Sequence, residues 1–268
     1  MLTLALTILS GAAVGFSLGL LGGGGSILAV PLLLYVVGVH DPHLVIGTTA
    51  LAVALNAYAN LYPHWRAGHV RWKTVFVFTG PGLVGAWFGS TLGKAVHGQQ
   101  LLALFAVLML VVAAAMWRRA SRDPAPDRAD PPAPGAPPPA APPPLWRAGA
   151  AGLLVGALSG FFGIGGGFLI VPGLVLSADM PMIFAIGSSL FAVGTFGLTT
   201  AANYALSGLV SLPIMGEYLV GGLAGGWLGA RWATQLSYAK GLLNRIFAGV
   251  IAVVAVYMLI ENGRTFFH

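Results

Sequence analysis

Gly15-Phe16-Ser17-Leu18-Gly19-Leu20-Leu21-Gly22-Gly23-Gly24-Gly25-Ser26-Ile27-Leu28-Ala29-Val30-Pro31 returns later in the chain as Gly156-Ala157-Leu158-Ser159-Gly160-Phe161-Phe162-Gly163-Ile164-Gly165-Gly166-Gly167-Phe168-Leu169-Ile170-Val171-Pro172. Each copy sets a glycine cluster between two apolar runs. The likeness continues past the clusters. Ile46-Gly47-Thr48-Thr49 matches Ile186-Gly187-Ser188-Ser189, and Gly68-His69-Val70 matches Gly208-Leu209-Val210. Gly82-Leu83-Val84-Gly85-Ala86-Trp87-Phe88-Gly89 matches Gly222-Leu223-Ala224-Gly225-Gly226-Trp227-Leu228-Gly229. The offset holds at 140 or 141, so one unit of about 100 residues occurs twice. Interrupted apolar segments in corresponding halves are the best sequence pointer to the binding site of a secondary transporter.

Composition sets the class on separate grounds. The chain is 57% hydrophobic and 7% charged, against about 25% charged in a soluble domain. So few charges cannot cover the surface of a soluble protein of this length. The thirteen Lys and Arg fall mostly in loops between apolar runs, which reads as membrane orientation rather than nucleic-acid binding. Cysteine is absent, which removes disulfides, thiolate nucleophiles and cysteine metal sites together. No metal or cofactor motif takes their place. The apolar start, residues 2–21, has no Lys or Arg before it and runs directly into the repeat. It is read as part of the fold, not as a removed signal.

Apolar runs lie at about 2–21, 26–39, 44–62, 74–92 and 99–117, and again at about 147–162, 168–177, 182–206, 213–230 and 242–260. One helix over 2–39 would be about 57 Å long, nearly twice the ~30 Å hydrocarbon core. Four successive glycines, each costing helix about 1 kcal/mol relative to Ala, make residues 22–25 the place where it reverses. The expected fold is an all-α polytopic membrane protein of two repeats, with about 8–10 membrane segments. Each repeat is a glycine-broken helical hairpin, re-entrant or fully crossing, followed by three transmembrane helices. A hairpin plus three crossings is an odd net count, so the repeats should be inverted. That arrangement puts eleven Lys and Arg on the cytoplasmic side and two, Lys94 and Arg264, outside, against nine to four for parallel repeats. The first repeat is 1–117 and the second 147–268. Between them, 118–146 holds eleven prolines within 124–144, the composition of an extended cytoplasmic tether.

These residues carry a family resemblance. The duplicated Gly-rich stretch ending in Val-Pro, Ile46-Gly47-Thr48-Thr49, Gly68-His69-Val70-Arg71-Trp72 and the Gly-Leu-x-Gly-x-Trp-x-Gly runs resemble the TauE/SafE sulfite-exporter and sulfonate-permease family. The resemblance covers the chain except the proline tether, which is long for the family. It implies a bacterial inner-membrane transporter of small sulfur-containing anions such as sulfite, thiosulfate or organosulfonates, driven by the proton-motive force. The implied partners are that anion and the lipid bilayer.

A break in a membrane hairpin exposes backbone N–H groups that have no intrahelical partner. With the helix dipole behind them, they form an anion site that needs no cation. Gly22, Gly23, Gly24, Gly25 and Ser26 fit this description, as do Gly163, Gly165, Gly166 and Gly167. The competing role is close helix packing, and it is the expected one for Gly15, Gly19, Gly156 and Gly160. Thr48, Thr49, Ser188 and Ser189 stand at matching positions near segment starts, where hydroxyls cap a helix or donate to an anion. Asn56, Asn60 and Asn203 line the path or make interhelical hydrogen bonds, the latter being the plainer expectation. Asp41 and Asp179 are read as turn or cap residues. Glu217 is the candidate proton-coupling carboxylate or an interfacial glutamate reaching water. The cluster His64, Arg66, His69, Arg71 and Lys73 is a basic mouth for anions or simply the positive-inside loop that sets the topology. A passive anion channel and a membrane-embedded enzyme are the rival functions. The enzyme predicts a nucleophile, a metal cluster or an acid–base pair at membrane depth, and the sequence offers none.

Overall fold

A computed structural model describes residues 2–122, 144–163, 167–235 and 240–263. The proline-rich tether falls largely outside the described residues, and so do Gly165 and Gly166. Those that are described form helices and short connections, with no strand among them.

The first repeat runs α1 (Leu2–Leu21), a tight 3-10 turn over Gly22–Leu28, a short α2 (Ala29–Pro31) widening into a π turn at Leu32–Val36, then α3 (Pro42–Arg66), α4 (Trp72–Ala95) and α5 (Gly98–Arg122). The second runs α6 (Leu145–Phe162), α7 (Gly167–Ala178), α8 (Met182–Ala205), α9 (Leu212–Gln235) and α10 (Lys240–Gly263). Local chemistry explains the boundaries. Gly163 ends α6 in the left-handed conformation with φ of 67°, and Gly22 has the same φ just past α1. Glycine takes that conformation at little steric cost. Asp41 caps α3, its Oδ1 accepting from the backbone N–H of His43 (2.9 Å) and Leu44 (3.2 Å), with Pro42 at the first helical position. Asp179 sits in a left-handed turn, φ 47°.

Five helices are long and apolar enough to cross a membrane: Leu2–Leu20, Pro42–Arg66, Trp72–Ala95, Leu145–Phe162 and Ile183–Ala205. By length alone α5, α9 and α10 reach about 36 Å as well. The second arms of the hairpins do not. Gly25–Val36 and Gly167–Ala178 are 12 residues each, about 18 Å.

Packing crosses between the repeats. α1 lies along α9, α4 along α6, α3 on α8 and α5 on α10. Close approaches follow one pattern in both halves. A Cβ on Gly11, Gly15 or Gly19 would strike the backbone of Tyr218, Gly222 or Gly226, and one on Gly152, Gly156 or Gly160 would strike Phe78, Gly82 or Ala86. Numbers rise together in each series, so both pairs are parallel. The expected packing role of the four-spaced glycines is what the structure shows. α3 and α8, which are each other's counterparts, run antiparallel. Gly47 meets Tyr204 and Leu209, Gly197 meets Ala50 and Ala54, and Gly194 meets Tyr58. Large apolar side chains such as Leu9, Phe88, Leu154, Trp227 and Val253 point outward, while small residues fill the joints. That is the reverse of a water-soluble core and the expected surface for lipid.

Candidate functional site

The two glycine breaks touch. Gly23 and Gly167 lie backbone against backbone, so closely that a Cβ on either would overlap the other. Gly22 packs on Ile186 near the start of α8, and Gly163 on Ile46 near the start of α3, the same contact made twice. Gly23 N–H donates to Ser189 Oγ (3.3 Å), and Ser26 Oγ–H donates back to Gly23 O (2.9 Å). Gly24 and Gly25 complete the turn, with Gly25 pressed against the backbone of Ser17 and Leu18.

The four hydroxyls at matching positions divide by role. Thr48 Oγ1 accepts from Ser211 N–H and Ser188 Oγ from Arg71 N–H, both at 3.0 Å. Each therefore holds the residue that leads into a helix: Ser211 before α9, Arg71 as the N-cap of α4. Thr49 and Ser189 donate to carbonyls of their own preceding turn, Val45 and Ile46 for Thr49 and Ile186 for Ser189. All four are buried.

The asparagines differ from one another. Asn203 is tied down on every side. Its Nδ2 donates to Trp87 O (3.1 Å), Ser90 Oγ (2.6 Å) and Thr91 Oγ1 (2.8 Å), while Oδ1 accepts from Lys94 Nζ at 2.7 Å. Lys94 also reaches Asn203 O and Ser207 Oγ and lies over the Tyr204 ring (5.8 Å), so its ammonium is held between α4 and the end of α8. It ties the two repeats together at the C-terminal end of α4. Asn60 donates to Asn56 O (2.9 Å). Asn56 departs from the expectation of a satisfied interhelical bond: it is 0% exposed, and neither Nδ2 nor Oδ1 has a partner. Gly222 brings the α9 backbone directly onto that amide. Tyr218, one turn earlier on α9, is likewise buried with an unpartnered hydroxyl. Sequence reading passed over Tyr218, although the repeat alignment marks it, since its counterpart is Phe78.

Glu217 stands half-buried in the second turn of α9. In the basic cluster, Arg71 stacks its guanidinium on Phe184 (4.8 Å) and Arg66 on Tyr62 (5.2 Å), with the His64 and His69 rings 6.2 Å apart. The aromatic faces fix these cations at the ends of α3 and α4.

Comparison with known proteins agrees on the class. Residues 7–258 match the model of a family described as sulfite exporter TauE/SafE. A "Probable membrane transporter protein" of Xylella fastidiosa (strain Temecula1) is 51% identical over 257 residues, covering 96% of this chain and 95% of the relative. The "Probable membrane transporter protein YdhB" of Bacillus subtilis is 25% identical, covering 83% and 87%. A "Probable membrane transporter protein" of Haemophilus influenzae is 27% identical, covering 81% and 78%. No solved structure gives a significant match.

Proposed function

From a chain that belongs to the sulfite exporter TauE/SafE family of membrane transporters, we propose a secondary active transporter of small sulfur-containing anions, sulfite, thiosulfate or an organosulfonate. It works by alternating access around the two glycine breaks, coupled to protons through Glu217, in the bacterial inner membrane with the 118–146 tether cytoplasmic. The observation that carries the reading is the meeting of the breaks, Gly23 on Gly167, inside a framework of contacts repeated across the two halves. Non-helical backbone at membrane depth persists only where protein or a wet cavity surrounds it, and a broken pair near the repeat interface is where transporters bind substrate. Gly22 to Ser26 and Gly163 to Gly167 supply backbone N–H groups to the anion, with Thr49 and Ser189 beside them. Thr48 and Ser188 hold the leading ends of α9 and α4 against this centre. The half-length second arms make the hairpins re-entrant.

The antiparallel run of α3 on its own counterpart α8 supports inverted repeats, because a two-fold that reverses a membrane helix lies in the membrane plane. A single cysteine in the 63–73 loop and another in the 206–211 loop then face opposite sides. A membrane-impermeant maleimide applied to intact cells should label one and not the other. Labelling of both from one side would overturn inversion.

Flux in proteoliposomes tests the function. Sulfite, thiosulfate and sulfoacetate, each with and without an imposed pH gradient, should accumulate against their own gradient only when the pH gradient is present. Downhill flux of many anions, chloride included and indifferent to pH, would instead establish a passive channel.

A further inference from the structure

The two halves are equivalent in their joints but not in what fills them. In one half Phe196 of α8 lies against Gly82 of α4, and Phe78, one turn before Gly82, stacks on Phe196 with ring centroids 6.2 Å apart. The offset of 140 carries Gly82 to Gly222, Phe78 to Tyr218 and Phe196 to Asn56. Asn56 does lie against Gly222, so the correspondence holds in space, and Tyr218 stands one turn before Gly222 on α9 as Phe78 stands one turn before Gly82 on α4. A dry aromatic pair at one joint is thus a phenol and a carboxamide at the other.

All four side chains are fully buried. The aromatic pair costs nothing in polar terms. The other leaves Tyr218 Oη and both amide atoms of Asn56 without partners. An unmet buried polar group is costly, and the aromatic pair shows that this joint closes well without one. Asn56 is near the middle of α3 and Gly222 near the middle of α9, the depth at which no bulk water meets the need.

We propose that Tyr218 and Asn56 form an anion-coordinating subsite at one of the two equivalent joints only, binding a singly charged oxyanion through the phenol O–H and the amide N–H groups. The inference rests on the anion-transport reading above and deepens it. Both groups are neutral, and no Lys or Arg lies within two helical turns of Asn56 on α3 or of Gly222 on α9. Neutral donors suit a monoanion, because burying a second uncompensated charge is far more costly. Hydrogensulfite and sulfonates fit that requirement and sulfate does not. Glu217 is next to Tyr218 in sequence but about 100° round the helix, half-buried and away from the joint. The aromatic half keeps its side of the interface closed, so substrate is engaged on one side of the two-fold.

Binding to the purified full-length chain tests this, with methanesulfonate, sulfite and sulfate as probes in isothermal titration. The wild type should bind methanesulfonate and sulfite, with sulfate at least about tenfold weaker, a difference of ~1.4 kcal/mol. Tyr218→Phe and Asn56→Leu should each weaken methanesulfonate at least about tenfold, while Phe196→Leu leaves it unchanged. Tyr218→Phe adopts the residue the other half already carries and removes an unmet hydroxyl, so its unliganded melting temperature should match or exceed the wild type's. Wild-type binding with unaltered affinity in both variants would overturn the subsite and leave the transport reading intact. Absence of wild-type binding to every probe would overturn both.

Discussion

Gly156→Val and Gly222→Val should each leave almost no correctly folded protein. A Cβ on Gly156 overlaps the Gly82 carbonyl on the backbone of α4, and one on Gly222, itself pressed by Gly15 of α1, overlaps the side-chain amide of Asn56 on α3. Overpacking an ordinary core costs about 1–3 kcal/mol. Backbone cannot rotate away as a side chain does, which puts Gly156→Val at ~3 kcal/mol or beyond, on the order of a hundredfold in the folded-to-unfolded ratio. The measurement is the monodisperse fraction recovered from detergent by size-exclusion chromatography. Gly80→Val and Gly216→Val are the controls, on α4 and α9 with nothing within reach of the added carbon. Equal recovery of all four would mean that α4 and α6, and α1 and α9, do not pack as described.

Gly22→Ala and Gly163→Ala should abolish flux while insertion and recovery stay near wild type. Both glycines have φ of 67°, a conformation that costs a non-glycine residue roughly 1–2 kcal/mol. Each also abuts an isoleucine: Ile186 Cγ2 lies 2.8 Å from the ideal Cβ of Gly22, and Ile46 crowds Gly163 more tightly still. Gly68→Ala and Gly208→Ala carry the same backbone penalty, φ 75° and 70°, in open space. The comparison separates strain from position. Flux reduced at least about tenfold for the first pair and little for the second places the breaks at the working centre, whereas equal loss in all four would reduce the effect to strain.

Much of the framework was legible because a duplication leaves its own control. Runs read at 44–62, 74–92 and 182–206 correspond to α3, α4 and α8 within a few residues, since apolar length and polar loops are local properties. Reversal at the glycines followed from local cost as well. Cross-repeat pairing was not legible. The glycine faces of α1 and α6 are alike, and nothing in a periodic pattern says whether a helix packs on its own repeat or on the other. The polar residues were harder still. Lys94 looked like a boundary charge because its partners Asn203 and Ser207 are more than 100 residues away. Thr48 and Ser188 read in sequence as helix caps or anion donors, and they hold the helix leads of the opposite repeat. Asn56 and Tyr218 have meaning only once Phe196 and Phe78 are seen to occupy the equivalent joint.

The parallel clasp of α1 by α9 bears on how the chain is made. α4 and α6 are separated by about 70 residues and α1 and α9 by about 200. At a synthesis rate of 5–20 residues per second, α9 leaves the ribosome roughly 10–40 s after α1. The first clasp to close is therefore α4 on α6, across the proline tether. During that delay α1 sits in the bilayer with its glycine face bare, and a nascent chain stopped after α8 can close α4 on α6 and α3 on α8 but leaves α1 and α5 without their partners. Assembly is complete only with the last quarter of translation, so membrane quality control has its clearest target in a truncated product whose first helix never meets its mate.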